Sequence, residues 1–270
     1  IDVTRAAEAT ADARFDETWS AVAEMGVAAI AVPEAAGGGG GSLLDQAIAL
    51  EACAHELVPG GLLGAAIGSR LTGRPDRYGV QVRPGGVVWD GGAAAESLLL
   101  GGAGELSPEH GIDPSARHAR VASAGMSSGP EPGPRLLAVT LAAAEAAGIA
   151  RWCLETAVDY AKVREQFGQR IGAFQAIKHL CAEMLETAES VTAAAWDAAA
   201  AADGEDEAQW AFAVDVAHTT CFDGAVEVGK ACIQVLGGIG FTYEHDAHLY
   251  LRRALVLADS GSGITMTVDP

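Results

Sequence analysis

The chain has 270 residues, half of them apolar, which is enough to bury a sizeable core in one large domain or two. Thirty-six acidic against seventeen basic side chains give a net charge of −19, and that field argues against nucleic acid or an anionic membrane as a partner. Alanine and glycine are abundant and aromatics are few, a composition of closely packed helices rather than of a strand-rich sandwich. The five cysteines, at 53, 153, 181, 221 and 232, form no CxxC pair and sit mostly on apolar rows, so they read as buried thiols in a reducing compartment. No uninterrupted apolar run reaches membrane-span length, and Ile1 opens neither a basic segment nor an apolar one; the expected compartment is the cytoplasm.

Residues 1–60 read as helices with one break. Trp19, Val22, Ala23 and Gly26 make a short amphipathic stretch, Val27 to Val32 is apolar, Pro33 stops it, and Gly37 to Gly41 predict a flexible linker. No lysine follows those glycines at phosphate-loop spacing. Ser42 is placed to cap a helix that continues through Leu43, Leu44, Ala47, Ile48, Leu50 and Glu51 to His55. From 61 to 134 helical periodicity fades, glycine and proline are frequent, and Gly79–Val82, Gly86–Trp89 and Ser97–Leu100 predict short strands of a small β region.

From 135 to 270 the chain reads as helical. Leu137, Leu141, Ala144, Gly148 and Ile149 begin a long helix that continues through Trp152, Cys153, Thr156 and Tyr160 to Val163. A second runs from about Ala173 to Ala202, ending at Asp203-Gly204. A third follows the seam Trp210, Val214, Ala217, Cys221, Ala225, Val228, Cys232 and Val235, and a fourth covers Asp246 to Leu257. Short connections make an antiparallel four-helix bundle the economical arrangement.

The first two long helices meet at a loop centred on Gly168, rich in planar polar groups. Arg164 offers a guanidinium fork suited to a pyrophosphate, Phe167 an aromatic face, and Gln175 an amide with both donor and acceptor. The string Arg164-x-Gln166-Phe167-Gly168, then Phe174-Gln175, then Gln234-Val-Leu-Gly237-Gly238-Ile-Gly240-Phe241 resembles the C-terminal helical domain of the flavin-dependent acyl-CoA dehydrogenases. The stretch from Gly26 to Cys53 resembles the N-terminal helical domain of the same family. The resemblance implies a mainly α fold with a reduced β region: N-terminal helices, a small middle β segment and a C-terminal antiparallel four-helix bundle. It also implies FAD as cofactor, with Arg164, Gln166, Phe167, Phe174, Gln175, Gln234, Gly237 and Gly238 contacting the ADP half of a flavin whose ring lies in a neighbouring chain.

The same resemblance exposes what is missing. The family's threonine-, glycine- and serine-rich segment against the flavin ring has no counterpart here. Its usual glutamate base, just after the fourth helix, falls at Ser260 by motif and Gly261 by counting. The alternative base position on the first long helix, with the arginine after it, falls at Ala138 and Val139. Glu145 and Asp259 are the remaining acidic candidates, and a glutamate among alanines on a helix predicts a solvated or inter-subunit charge. What the resemblance implies is the short, non-catalytic subunit of a heteromeric, α2β2 acyl-CoA dehydrogenase of the actinobacterial steroid type, paired with a full-length paralogue. A self-sufficient homo-oligomer with a relocated base, and a FAD-free scaffold subunit, stay open. His245 and His248 predict surface or capping roles rather than a metal site, and Arg252 and Arg253 predict structural or inter-subunit ion pairs.

Overall fold

A computed structural model describes residues 12–82, 87–92, 94–100, 102–103, 105–108, 112–121, 125–126 and 132–261. The side chain of Ser260 lies outside the described residues. The N-terminal part holds α1 (Asp12–Glu24), two 3-10 turns (Val27–Ala29 and Glu34–Ala36), α2 (Leu43–His55) and α3 (Leu62–Thr72). Ser42 caps α2 as expected, in a reciprocal box: its hydroxyl accepts from the Asp45 N–H, and the Asp45 carboxylate accepts from the Ser42 N–H.

Two readings of this part are corrected. The glycine run is no loose linker, because Gly39, Gly40 and Gly41 donate backbone hydrogen bonds of 2.8–2.9 Å to Ala29, Val32 and Ile30. Helix α3 occupies the start of the stretch read as β. Its residues Leu62 to Ser69 are all buried, so the helix carries no polar face and shows no amphipathic period.

The β region is otherwise as small as expected. Strands β1 (Tyr78–Gln81), β2 (Val87–Trp89), β3 (Glu96–Leu99), β5 (Leu106–Pro108) and β6 (Ala119–Val121) form one sheet in the order β3-β1-β2-β6-β5. Only β1 and β3 run parallel within that sheet. Strands β4 (Gly102–Ala103) and β7 (Gly125–Met126) pair separately. Tyr78, Val80 and Trp89 are buried and tie the sheet to the helices.

The bundle comprises α4 (Pro132–Val163), α5 (Gln175–Ala202), α6 (Glu207–Leu236) and α7 (Ala247–Gly261). Helix α4 is its axis, packed against α2, α3, α5, α6 and α7. By length and composition α4 could cross a membrane, although Thr140 and Glu145 interrupt its apolar run. Yet 89% of that apolar window is buried inside the protein, which gives it the role of a core helix. Small side chains allow the close packing: Ala138, Ala142, Ala143, Ala146, Ala147 and Ala150 are fully enclosed.

Candidate functional site

Helix α4 ends at Val163, and the chain turns through a two-residue hairpin, β8 (Glu165–Gln166) against β9 (Gln169–Arg170), before α5 begins at Gln175. The turn residues Phe167 and Gly168 have φ of 53° and 79°, the pair of left-handed conformations that matches the twist of flanking strands. Glycine adopts this freely and phenylalanine does so at a cost, so the ring of Phe167 is held outward against a local preference. It is 93% exposed and meets Phe174 edge-on, with ring centroids 6.2 Å apart. Arg164, Gln166 and Gln175 are exposed around it. The Gln166 amide is oriented by a 2.7 Å bond to the Glu165 carbonyl.

The second string lies at the same end of the bundle, because α5 leaves the hairpin and α6 returns antiparallel to it through a connection of only four residues. There α6 ends at Leu236 and a 3-10 turn covers Gly237–Phe241. Gln234 and Gly238 are exposed, and Gly237 takes φ 63°, ψ −134°, a backbone conformation reserved for glycine. A Cβ on either glycine would meet no atom within 4 Å, so the backbone faces open space on that side. The result is a corner with the Arg164 guanidinium, the amides of Gln166, Gln175 and Gln234, an outward aromatic ring and approachable backbone.

The acidic candidates fall elsewhere. Asp259 is exposed on α7 and lines a cavity of about 260 Å³ with Val87, Ile112, His118, Arg120, Leu255 and Val256. Glu145 contradicts its sequence reading: it is only 4% exposed and neither solvated nor on a surface. Arg253 donates to it through Nη1 at 3.4 Å, and also to Asp113 through Nε and to Ser115 Oγ through Nη2 at 2.9 Å. Burial pushes the Glu145 carboxyl up to about 7, with Arg253 opposing and Asp90 and Asp113 adding to the rise. Burial also raises Asp90, against the opposing charge of His118. For Asp113 burial acts upward too, but Arg253 and His118 reverse it and hold the carboxyl below its usual range. The space beside this cluster is about 10 Å³, too small for any substrate carbon.

Asp90, Asp113, Ser115 and His118 were not legible as partners of Glu145. Only Arg253, an arginine within the apolar run of α7, offered a signal, and it was read correctly as structural. Ala138 and Val139 are buried. His245 accepts a 3.1 Å bond from the Ala247 N–H at the start of α7, a capping role.

A bundle of long helices beside a small sheet is the architecture of flavin-dependent acyl-thioester dehydrogenases. Two solved structures share it: the Tcur3481-Tcur3483 steroid ACAD, as a variant, at TM-score 0.78 and 23% identity, covering 94% of this chain and 86% of that one; and the ChsE4-ChsE5 complex from Mycobacterium tuberculosis at TM-score 0.69 and 20% identity, covering 93% and 85%. The chain belongs to the acyl-CoA dehydrogenase family: the family's N-terminal domain matches residues 2–79 and its C-terminal domain residues 139–261.

Among curated relatives, the acyl-CoA dehydrogenase IpdE2 of M. tuberculosis is 36% identical over 93% of this chain and 84% of its own length. FadE34 of the same organism is 43% identical over 92% of this chain, yet the match covers only 40% of FadE34. Family members are FAD-dependent flavoproteins, and the corner fits the ADP half of that cofactor chemically: a solvent-facing guanidinium for phosphate oxygens, amides for hydroxyls and ring edges, and an exposed ring for stacking.

Proposed function

We propose that this chain is the short, non-catalytic part of an acyl-CoA dehydrogenase assembly and lends its Arg164 corner to FAD held mainly by a full-length paralogue. FAD would supply the hydride acceptor for α,β-dehydrogenation of a CoA thioester. This chain's residues would bind and orient the ADP end: Arg164 on the pyrophosphate, Phe167 and Phe174 against the cofactor, Gln166, Gln175 and Gln234 as hydrogen-bonding amides, and Gly237 and Gly238 where backbone approaches closely. No residue of this chain is assigned to proton abstraction. The observation that carries the reading is the contrast between an exposed, intact corner and a sealed acidic site, with Glu145 beside a cavity of about 10 Å³.

Two further observations support a paralogue as partner. One solved neighbour is a ChsE4-ChsE5 complex. FadE34 also carries three fifths of its length outside the matched part, room for a second unit in one polypeptide. The name of the steroid ACAD neighbour favours a thioester of a steroid side chain as the substrate class, in a cytoplasmic enzyme.

The self-sufficient alternative would need Glu145 or Asp259 as base; the sealed position of Glu145 disfavours the first and leaves Asp259, exposed beside the cavity of about 260 Å³. A scaffold without FAD could cover Phe167 with a neighbouring chain, but would have no need of the whole polar set of Arg164, Gln175 and Gln234 beside it. The test is co-expression with a full-length paralogue, then Arg164→Ala in this chain. A yellow mixed complex with fewer flavins than chains, losing most of its flavin in the variant, is expected. Unchanged flavin content would mean the corner does not hold FAD, and a yellow, active chain purified alone would refute the non-catalytic role.

A further inference from the structure

The sealed cluster beneath the β region has too many carboxyl groups for its cations. Asp90 follows β2, Asp113, Ser115 and His118 lie on the segment before β6, Glu145 comes from α4 and Arg253 from α7, and all are buried. Burial, and then the charge of Glu145, raise the half-buried thiol of Cys53 on α2. Three carboxylates against one guanidinium leave a net charge of −2 in a space that holds about 10 Å³ of free volume. Burying that imbalance is far costlier than keeping protons, so the cluster holds protons on its carboxyl groups.

The hydrogen bonds show which carboxyl is the poorest anion. Asp113 receives the Arg253 Nε–H together with the Ser115 N–H and O–H. Asp90 accepts the Gly64 N–H at 3.0 Å, and its own N–H reaches His118 Nδ1 at 3.5 Å. Glu145 has a single long contact of 3.4 Å from Arg253 Nη1.

We propose that Glu145 is a proton-binding site in the junction between the β region and the helical bundle, and that loss of its proton loosens the seat of segment 112–121 on α4 and α7. The inference is independent of the half-site reading, since Glu145 lies near the middle of α4 and away from the Arg164 corner. Protonated, Glu145 leaves Arg253 to clasp Asp113 and Ser115. Ionised, it adds an ill-solvated charge that competes for the same guanidinium. The carboxyl position raised by burial, about 7, puts the change within the neutral range.

Hydrogen–deuterium exchange of the full chain, read by mass spectrometry and corrected for the intrinsic pH dependence of exchange, tests this. Protection of 112–121 should fall as pH climbs from about 4.5 to about 7, by at most about tenfold per unit for a single proton, and level off above that range. In Glu145→Gln, which keeps the shape without the charge, the profile should be flat. Wild-type protection constant from about pH 5 to 8, or the same slope in Glu145→Gln, overturns the proposal. If the variant does not fold, infrared difference spectra of the wild type decide. A buried carboxylic-acid band that disappears near pH 7 supports the site, and its absence at pH 6 refutes it.

Discussion

Gly148 shows how finely single residues are set in this chain. A Cβ there would lie 2.2 Å from the Glu51 carbonyl oxygen and 2.8 Å from the His55 nitrogen, both backbone atoms of α2 that cannot swing away. Gly148→Ala should therefore force α2 and α4 apart, lowering stability by about 1–3 kcal/mol despite alanine's better helix propensity. A thermal melt at or above the wild-type temperature would show that the interface gives way more easily than the backbone distances imply. Phe167 is the converse case, a residue strained at φ 53° with its ring in solvent, where local energetics alone would choose glycine or asparagine. Its presence makes sense only if a ligand or a neighbouring chain covers the ring.

The elements are stitched together by polar groups far apart in sequence. Asp203, at the turn between α5 and α6, accepts the N–H groups of Leu43 and Leu44 at 2.7 and 3.0 Å, closing the first turn of α2 across 160 residues. Asp203→Ala removes both bonds and the favourable charge at a helix N-terminus, and should cost about 1–2 kcal/mol by urea denaturation. Asp203→Asn should recover part of that loss, and equal losses in the two variants would show that the charge rather than the bonds matters. A second stitch joins α2, α4 and α5. Buried Glu51 accepts from Trp196 Nε1, and Arg151 Nη2 lies 2.7 Å from its other oxygen, an ion pair by distance rather than a directed hydrogen bond. The sequence displayed Glu51 as one more member of an apolar row, because nothing local separates a buried, paired glutamate from a surface one.

Across the whole molecule, Arg253 is the group on which the β region and the bundle converge. Arg253→Ala would leave three buried carboxyl groups without their guanidinium, and breaking such a cluster costs about 3–5 kcal/mol. The loss depends on pH. Burial raises Asp113 and Arg253 reverses that, so in the variant the carboxyl takes up a proton at a higher pH and much of the penalty disappears in acid. Wild-type stability carries the opposite contribution from Glu145. Its folded-state carboxyl lies above the unfolded value of 4.5, so that group's contribution declines as pH climbs from about 4.5 to about 7. Urea titrations at pH 5 and pH 8 should show a larger gap between wild type and Arg253→Ala at pH 8. Equal gaps would mean that the variant's carboxyl groups are reached by water.

Sequence alone determined the helices other than α3, the strands near 80, 88 and 98, the Ser42 cap, the loop at Gly168 and the family, because each rests on residues close in the chain: periodicity, capping chemistry, turn glycines and short strings. It also displayed the corner's residues, since Arg164 to Gln175 are contiguous. Tertiary structure alone decided that α3 is a helix and that the glycine run is pinned. It also decided that Glu145 is sealed under a cluster drawn from α4, α7, the end of β2 and the segment before β6. Those outcomes depend on burial and on partners 28 to 140 residues apart, and neither leaves a local mark.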